Sequence, residues 1–411
     1  PALPLAPPPM SKTSSAQPSL LPILLLSAAG FSILTTEFIL VGVLPGVARD
    51  LRVTIPQAGL LVTLFAFTVA LVGPMLVALL SRFPRKPLFV LTLLLFALSN
   101  TVAAIAPNIA VMAVARFIPA LMLPVFWALA SETAVDIVGP ERAGKAISMV
   151  SFGIVAATIF GIPIGTLISD AYGWRTAFGA LAVLAFAKAA LLFFLLPRTR
   201  GNQDQPGALR QMTIFRDARS VGHVLLSLLV FAGLFSVYTY LADLLERLAG
   251  VPAAAVGWIL MGFGGMGLIG NWLGGKLVDR DPLRATIIFC VPLLVSLLVL
   301  APFATSWVVL GAALTVWGIT QAALFTVSHV RVMKAVGEKA TPALGASLNI
   351  SGANLGIAAG AFIGGRTIDF FGLGSLGIAG AVTVLIAIAA ALVLMPRKAK
   401  APAELACADE C

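Results

Sequence analysis

The sequence predicts an all-α membrane protein with twelve transmembrane helices in two six-helix bundles. Three observations carry this. Hydrophobic residues make up 60% of the 411 and charged residues only 11%, with a mean hydropathy of +1.04, whereas a soluble domain is roughly 45–50% apolar and about 25% charged. Too little polar surface remains to coat a soluble globule, so lipid must be the solvent. The apolar residues fall in continuous runs of about 19–27, enough to cross a hydrocarbon core of about 30 Å at about 1.5 Å per residue. Finally, one pattern occurs twice at a spacing of about half the chain, which marks two copies of one large unit.

The runs place spans at 20–46, 57–80, 87–106, 109–131, 144–169, 176–196, 221–244, 255–277, 285–304, 307–330, 343–368 and 374–395. They are continuously apolar and do not alternate, which selects helices over barrel strands. Every other connection is short and marked by Pro, Gly or Asn, as in Ala106-Pro107-Asn108. The chain divides into an N-terminal segment 1–19, a first bundle 20–196, a linker 197–220, a second bundle 221–395 and a tail 396–411. The Pro- and Ser-rich first segment and the tail are expected to be disordered. Met10 is the expected natural start, and no cleavable signal peptide is expected.

The repeat can be read residue by residue. Gly59, Arg82 and Lys86 correspond to Gly257, Arg280 and Arg284 at an offset of 198. Gly161, Gly165, Asp170 and Gly173 correspond to Gly360, Gly364, Asp369 and Gly372 at an offset of 199. A duplicated unit in a chain this apolar points to a membrane transporter built from two halves.

Charge sets the orientation. The net charge of +10 raises nucleic acid as a partner, but the basic residues lie in short turns between apolar runs. Twenty of the 27 Lys and Arg fall on one side, among them Lys12, Arg82, Arg85, Lys86, Arg142, Lys145, Lys276, Arg280, Arg284, Arg331, Lys334 and Lys339. Arg49, Arg52, Arg175, Arg247 and Arg366 fall on the other, and Arg116 and Lys188 lie inside spans. This asymmetry places both termini in the cytoplasm and argues against a nucleic-acid partner. The three cysteines, Cys290, Cys407 and Cys411, make no disulfide framework, and no Cys/His cluster has metal spacing. No nucleotide-binding loop or nucleophile elbow is present, so an enzyme is not expected.

Two basic turns stand at the repeat. The turn after span 2 carries Arg82, Arg85 and Lys86, and the turn after span 8 carries Gly275, Asp279, Arg280 and Arg284. The second resembles the G-x-L-x-D-R-x-G-R-K loop of the major facilitator superfamily. In the first, Val77 and Ser81 stand where that pattern has Gly and Asp. The resemblance implies gating loops that clasp neighbouring helix ends on the cytoplasmic side. The plainer reading is that the turns only supply positive charge, and duplication at a fixed offset weighs against it.

Thr35-Thr36-Glu37-Phe38, Leu44-Pro45 and Gln57-Ala58-Gly59 are similar to the twelve-helix drug:proton antiporters, and most to their arabinose- and sugar-efflux relatives. Arg116 stands in the place of that family's R-x-x-x-G motif, with Ala120 for its Gly. Gly161, Pro163 and Gly165 partly match a helix-5 motif of exporters. The resemblance implies the major facilitator fold, with two bundles related by a pseudo-two-fold axis along the membrane normal and substrate bound between them. It further implies a bacterial-type inner membrane, alternating access, and helices lining the cavity that here carry Phe126, Trp127, Tyr238, Tyr240 and Trp317.

Glu37 is singled out by physics independently. A carboxylate inside a lipid-spanning helix is costly and faces a partner or a wet cavity. Arg116 is its expected partner, because counting from the span ends puts the two at depths agreeing to roughly 3 Å. The pair reads either as a proton-coupling site or as a static ion pair locking spans 1 and 4. Lys188 reads as a snorkelling or packing residue, and His223 and His329 as interfacial. Thr36, Gln321 and Asn349 read as cavity-lining groups; for Gln321 and Asn349, as for Asn271 and Asn354, interhelical hydrogen bonds are the alternative.

The expected function is export of small amphipathic molecules or drugs in exchange for protons, which serve as coupling ion with no other cofactor. A sugar or nucleoside exporter, a facilitator or importer, and a non-transporting receptor remain as alternatives. The expected partners are a small-molecule substrate and the lipid bilayer, with the chain a monomer.

Overall fold

The computed structural model describes residues 20–139, 143–197, 217–300, 302–337 and 342–395. The expected N-terminal segment, most of the linker, Arg142, Lys339 and the tail with Cys407 and Cys411 lie outside the described residues. Among the described residues, twelve helices are long and apolar enough to span a membrane. Spans 1 to 6 are Leu21–Asp50, Ile55–Val77, Arg85–Ala104, Ile109–Val138, Ser148–Tyr172 and Trp174–Leu195. Spans 7 to 12 are Ala218–Leu248, Ala253–Val278, Pro282–Leu300, Trp307–Val336, Gly345–Phe371 and Leu373–Leu394. The face bearing Arg82, Arg85 and Lys334 is called the basic face below.

Several helices outrun their apolar stretch, because a helix propagates until a residue stops it. Span 1 continues to Asp50, just before Arg52 at φ 53°, and span 10 to Val336, just before Gly337 at φ 51°. Arg49 and Arg331, assigned to loops by charge counting, are therefore helical. Starts are set by side-chain caps: Thr54 and Gln57 form a capping box ahead of span 2, and Asn108 accepts from the Val111 amide ahead of span 4. Span 5 ends at Gly173 with φ 86° and span 11 at Gly372 with φ 81°. These corresponding glycines make the same sharp turn, in a backbone region that a Cβ disfavours.

The repeat extends to tertiary contacts. The Ser99 hydroxyl of span 3 donates to the Ala115 carbonyl of span 4, and Ser296 of span 9 donates to the Ala313 carbonyl of span 10 at 2.5 Å. Large apolar side chains such as Leu71, Phe194 and Val393 point outward and are more than two-thirds exposed, as a lipid solvent allows. One buried cluster crosses both halves, from Ile39 and Leu44 of span 1 to Leu234 and Leu241 of span 7. Another, with Phe89, Phe96 and Phe126, draws its buried residues from the first half, with Ile350 of span 11 packed against it.

The halves meet along spans 2 and 11, 5 and 8, and 1 and 7. Thr63 donates across the first seam to the Ala358 carbonyl at 3.4 Å. Span 5 packs on span 8 through its second part and through a π-helical turn at Ala157–Gly161, but hardly through its first part. That seam parts toward the basic face. At the opposite face span 7 is buried without interruption from Ala232 to Leu245, so the halves are sealed there.

Candidate transport site and gating contacts

Span 1 brings Glu37 to the middle of the first half, where it is 7% exposed. Arg116 of span 4 lies beside it as the depths predict, but the two side chains do not form an ion pair. The Arg116 guanidinium donates to the main-chain carbonyl of Thr36 and, at 2.7 Å, to that of Glu37. Its charged carbon sits 4.5 Å above the centre of the Phe65 ring, a placement that ring quadrupoles favour. Asn100 of span 3 completes the group by donating to the Thr36 hydroxyl at 3.0 Å. Thr36 therefore faces span 3 inside the bundle and not a cavity. Arg116 fixes the backbone that carries Glu37 and leaves the carboxylate out of the clasp.

Lys188 of span 6 does more than pack: it donates to Ser32 of span 1 at 2.5 Å and lies 4.9 Å from the Phe31 ring centre.

The second half gathers different chemistry. Tyr238 and Phe263 stack with centroids 5.6 Å apart, and Trp317 stands edge-on to Phe263 at 5.5 Å. Gln321, one turn along from Trp317, lies beside the Tyr238 hydroxyl. Phe235 joins this group to Phe38 of span 1 with rings 5.7 Å apart. Tyr238, Trp317 and Gln321, each expected to line a cavity, are thus neighbours packed around Phe263.

Other expected cavity residues lie elsewhere. Phe126 is fully buried within the first half against Phe89, because its side of span 4 packs on span 3. Trp127 covers Gly30 of span 1. Asn349 pairs with the His329 ring at 3.3 Å. Tyr240 sits at the sealed face. Its hydroxyl donates to the Ala361 carbonyl at 2.7 Å, and a Cβ on Gly59, Gly364 or Gly365 would strike its ring or hydroxyl. Those three glycines, from both halves, form the slot the side chain fills. Gly161 and Gly165 bring span 5 onto Thr35 and Ile39 of span 1, and Pro163 follows the π-helical turn.

The two basic turns grip differently. Arg85, 4% exposed, pairs with Asp136 at 2.5 Å and Glu132 at 3.1 Å at the end of span 4. The first turn therefore holds despite Val77 and Ser81. Lys86 lies 5.9 Å from the Phe193 ring, and Arg82 is exposed. In the second turn Arg284 pairs locally with Asp281 at 3.2 Å. There the clasp comes from Lys334 of span 10, which donates to the Val278 and Asp279 carbonyls ending span 8, where the helix dipole attracts a cation. Among the described residues, Gly275 and Arg280 make no comparable contact with span 10. Arg331 is buried in the second half, donating to the Ser227 hydroxyl at 2.8 Å, with no carboxylate paired to it among the described residues.

The family model described as Major Facilitator Superfamily matches residues 26–345 and 247–406. The chain belongs to the major facilitator superfamily. It is similar to the uncharacterized MFS-type transporter YtbD of Bacillus subtilis, 34% identical over 90% of this chain and 96% of that protein. The inner membrane transport protein YdhP of Escherichia coli is 31% identical over 85% and 89%. A probable sugar efflux transporter of Pasteurella multocida is 27% identical over 88% of each. Among solved structures, a bacterial homologue of the lysosomal transporter Spinster, inward-facing and unoccupied, has a TM-score of 0.72 at 16% identity, covering 93% of this chain and 98% of its own. The nucleoside transporter NupG has a TM-score of 0.70 at 16% identity, over 92% and 99%. These two carry the fold alone. The protein is a multi-pass membrane transporter of this superfamily.

Proposed function

We propose that the protein is a proton-coupled exporter of the inner membrane, with its basic face and both termini in the cytoplasm. The observation that supports this is the placing of Glu37. It is a carboxylate near mid-membrane in the first half, one residue before Phe38, which meets Phe235 of the second half, on a backbone that Arg116 holds by two carbonyls. Its charge is not consumed by a salt bridge among the described residues, so it is available to bind a proton and release it as the seam opens. A proton shifts the balance between two states only by its differential affinity for them. One entering proton supplies about 2.3 kcal/mol per 100 mV and about 1.4 per pH unit, enough for a useful outward gradient of a neutral solute.

The test is transport in proteoliposomes under an imposed pH gradient, following internal pH while substrates are added. Wild type is expected to show a substrate-dependent proton flux, and Glu37→Gln to lose it while remaining folded. Export by Glu37→Gln at the wild-type rate would remove the assignment. Substrate flux without proton flux in wild type would make the protein a facilitator.

For the substrate, small amphipathic molecules and drugs are the broad reading. The Tyr238, Trp317 and Gln321 group favours a second, sugar or nucleoside export.

A further inference from the structure

The corner between spans 1 and 2 has a backbone conformation that its residue does not favour. Arg52 has a φ of 53°, in the left-handed region where glycine is at ease and a Cβ is crowded. At the offset of 198 residues its counterpart in the second half is Gly250, with a φ of 68°. The same turn is made once by the residue that suits it and once by an arginine. Strain of this kind points to a use for the side chain. Arg52 is exposed and forms no ion pair among the described residues, and Asp50, two residues before it, is taken by Arg175 and Trp174.

Beside this corner a groove of about 380 Å³ lies between the outer ends of spans 2 and 4. Val53, which follows Arg52, and Gln57 line it at this end; Leu60 and Leu64 of span 2 and Ile109 and Ala113 of span 4 are apolar walls. Leu60 and Leu64 lie on the row of span 2 that continues to Phe67 and Leu71, both exposed apolar side chains. Gly59 and Thr63, which meet the second half, lie on the next row. The groove therefore opens to lipid and lies outside the seam. In the second half the counterparts of Leu60 and Ile109 are Trp258 and Trp307, 62% and 60% exposed. Tryptophan collects at the membrane–water interface, which sets this end of the groove at headgroup depth. Where the second half has two bulky rings and a glycine, the first half has a trough and a cation.

We propose that the groove binds an anionic phospholipid of the leaflet opposite the basic face, with an acyl chain between spans 2 and 4 and its phosphate on Arg52 and Gln57. The trough follows span 2 for about 10 Å from Gln57 to Leu64, and its apolar walls gain from covering by a tail. Gln57 Oε1 is engaged by the Thr54 amide at 2.9 Å, so what Gln57 offers a ligand is its N–H groups. Spans 2 and 4 begin at this end, at Ile55 and Ile109, and their helix dipoles favour an anion there. A free anion would gain nothing from the apolar walls, and a neutral apolar molecule nothing from Arg52.

The experiment titrates the purified, delipidated full chain in detergent with dioleoyl phosphatidylglycerol or dioleoyl phosphatidylcholine and counts bound lipid by native mass spectrometry. Wild type is expected to hold phosphatidylglycerol about fivefold more tightly than phosphatidylcholine, the effect of one interfacial cation. Arg52→Gly copies Gly250 and relieves the turn, so it is expected to stay folded and to lose that preference. Leu60→Trp combined with Ile109→Trp copies the second half, fills the trough and is expected to weaken both lipids alike. Unfolding midpoints establish that each variant is folded. Glycerophosphoglycerol, the same headgroup without chains, is expected not to compete. Equal affinity of wild type for the two lipids overturns the proposal, as does a preference that survives Arg52→Gly or lipid binding unchanged in the double-tryptophan variant. Competition by glycerophosphoglycerol at the concentration of the lipid would make this a site for a soluble anion and overturn the lipid assignment.

Discussion

The first half of the molecule holds ionisable groups in mid-span, the buried Glu37 and Arg116 and the half-buried Lys188, while the second half holds stacked rings and an amide at the corresponding depth. The scaffold beneath is shared. Ser99 and Ser296 tie the same pair of helices, Gly173 and Gly372 make the same turn, and Phe65 and Phe263 occupy the same place. Duplication preserved the helix packing and let the side chains facing the seam diverge. Under the proposed function, such divergence lets one half answer to protons and the other to substrate.

The sharpest way to break this comparison is to set the two buried arginines against each other. Arg116 makes charge-assisted bonds to two buried carbonyls, while Arg331 has one hydroxyl, one long carbonyl contact and, among the described residues, no acid. Removing a buried charged partner typically costs about 3–5 kcal/mol, whereas replacing poorly compensated buried charge by an apolar side chain is often neutral or stabilising. Arg116→Ala is therefore expected to destabilise the protein by about 3 kcal/mol or more. Arg331→Met is expected to stay within about 1 kcal/mol of wild type, or to exceed it. Unfolding in detergent measures both. A large loss for Arg331→Met would show that the second half also depends on a buried cation.

The gating turns give the next largest contrast. Arg85→Gln breaks two ion pairs with a buried guanidinium and is expected to cost about 2–3 kcal/mol. Lys334→Gln loses an exposed contact with a helix end and is expected to cost about 0.3–1 kcal/mol. Equal losses would show that the clasps are equivalent despite their different chemistry.

Some of this was legible in the residues and some was not. The spans could be read from unbroken apolar runs, and the meeting of Glu37 with Arg116 from depth alone. That Arg116 grips carbonyls and not the carboxylate depends on side-chain direction, which depth does not carry. Asn100, Phe65 and Phe263 gave no separate signal, because one amide or ring in an apolar run looks like packing until its neighbour is known. Arg331 sat just past an apolar run and so counted as a loop residue. The grip of Arg85 depends on Glu132 and Asp136, acids at a distant helix end that no loop pattern includes. The displacement of Tyr240 follows from a break in span 7 after Tyr238, which no proline or glycine announces.

That break makes Tyr240 a bolt shared by the halves, and its removal sharpens the comparison at the sealed face. Tyr240→Phe keeps the ring in its slot and loses the bond to Ala361, worth about 1 kcal/mol. If that bond is weaker or absent in the alternative state, the balance shifts about fivefold toward opening at this face. Distances between spin labels at the ends of spans 1 and 7 read the shift. Gly59→Ala acts in the same direction by crowding the slot from the other half. Unchanged distances in both variants would mean the bolt opens with neither half.

The smallest effect expected is also the strictest test of symmetry. Ser99→Ala and Ser296→Ala each remove a hydroxyl donor from a carbonyl in the neighbouring helix. Interhelical hydrogen bonds in membranes are worth about 0.6 kcal/mol on average, because those carbonyls already bond within their own helices. Both serines are buried, at 2% and 3% exposure, and both tie the third helix of a half to the fourth. The two losses should therefore agree within about 0.3–0.5 kcal/mol, and the double variant should show their sum, since the sites are far apart. A marked inequality would place the divergence of the halves in their packing and not only in the side chains at the seam. The rings and amide of the second half would then reflect a changed helix arrangement, beyond a change of residues on a common frame.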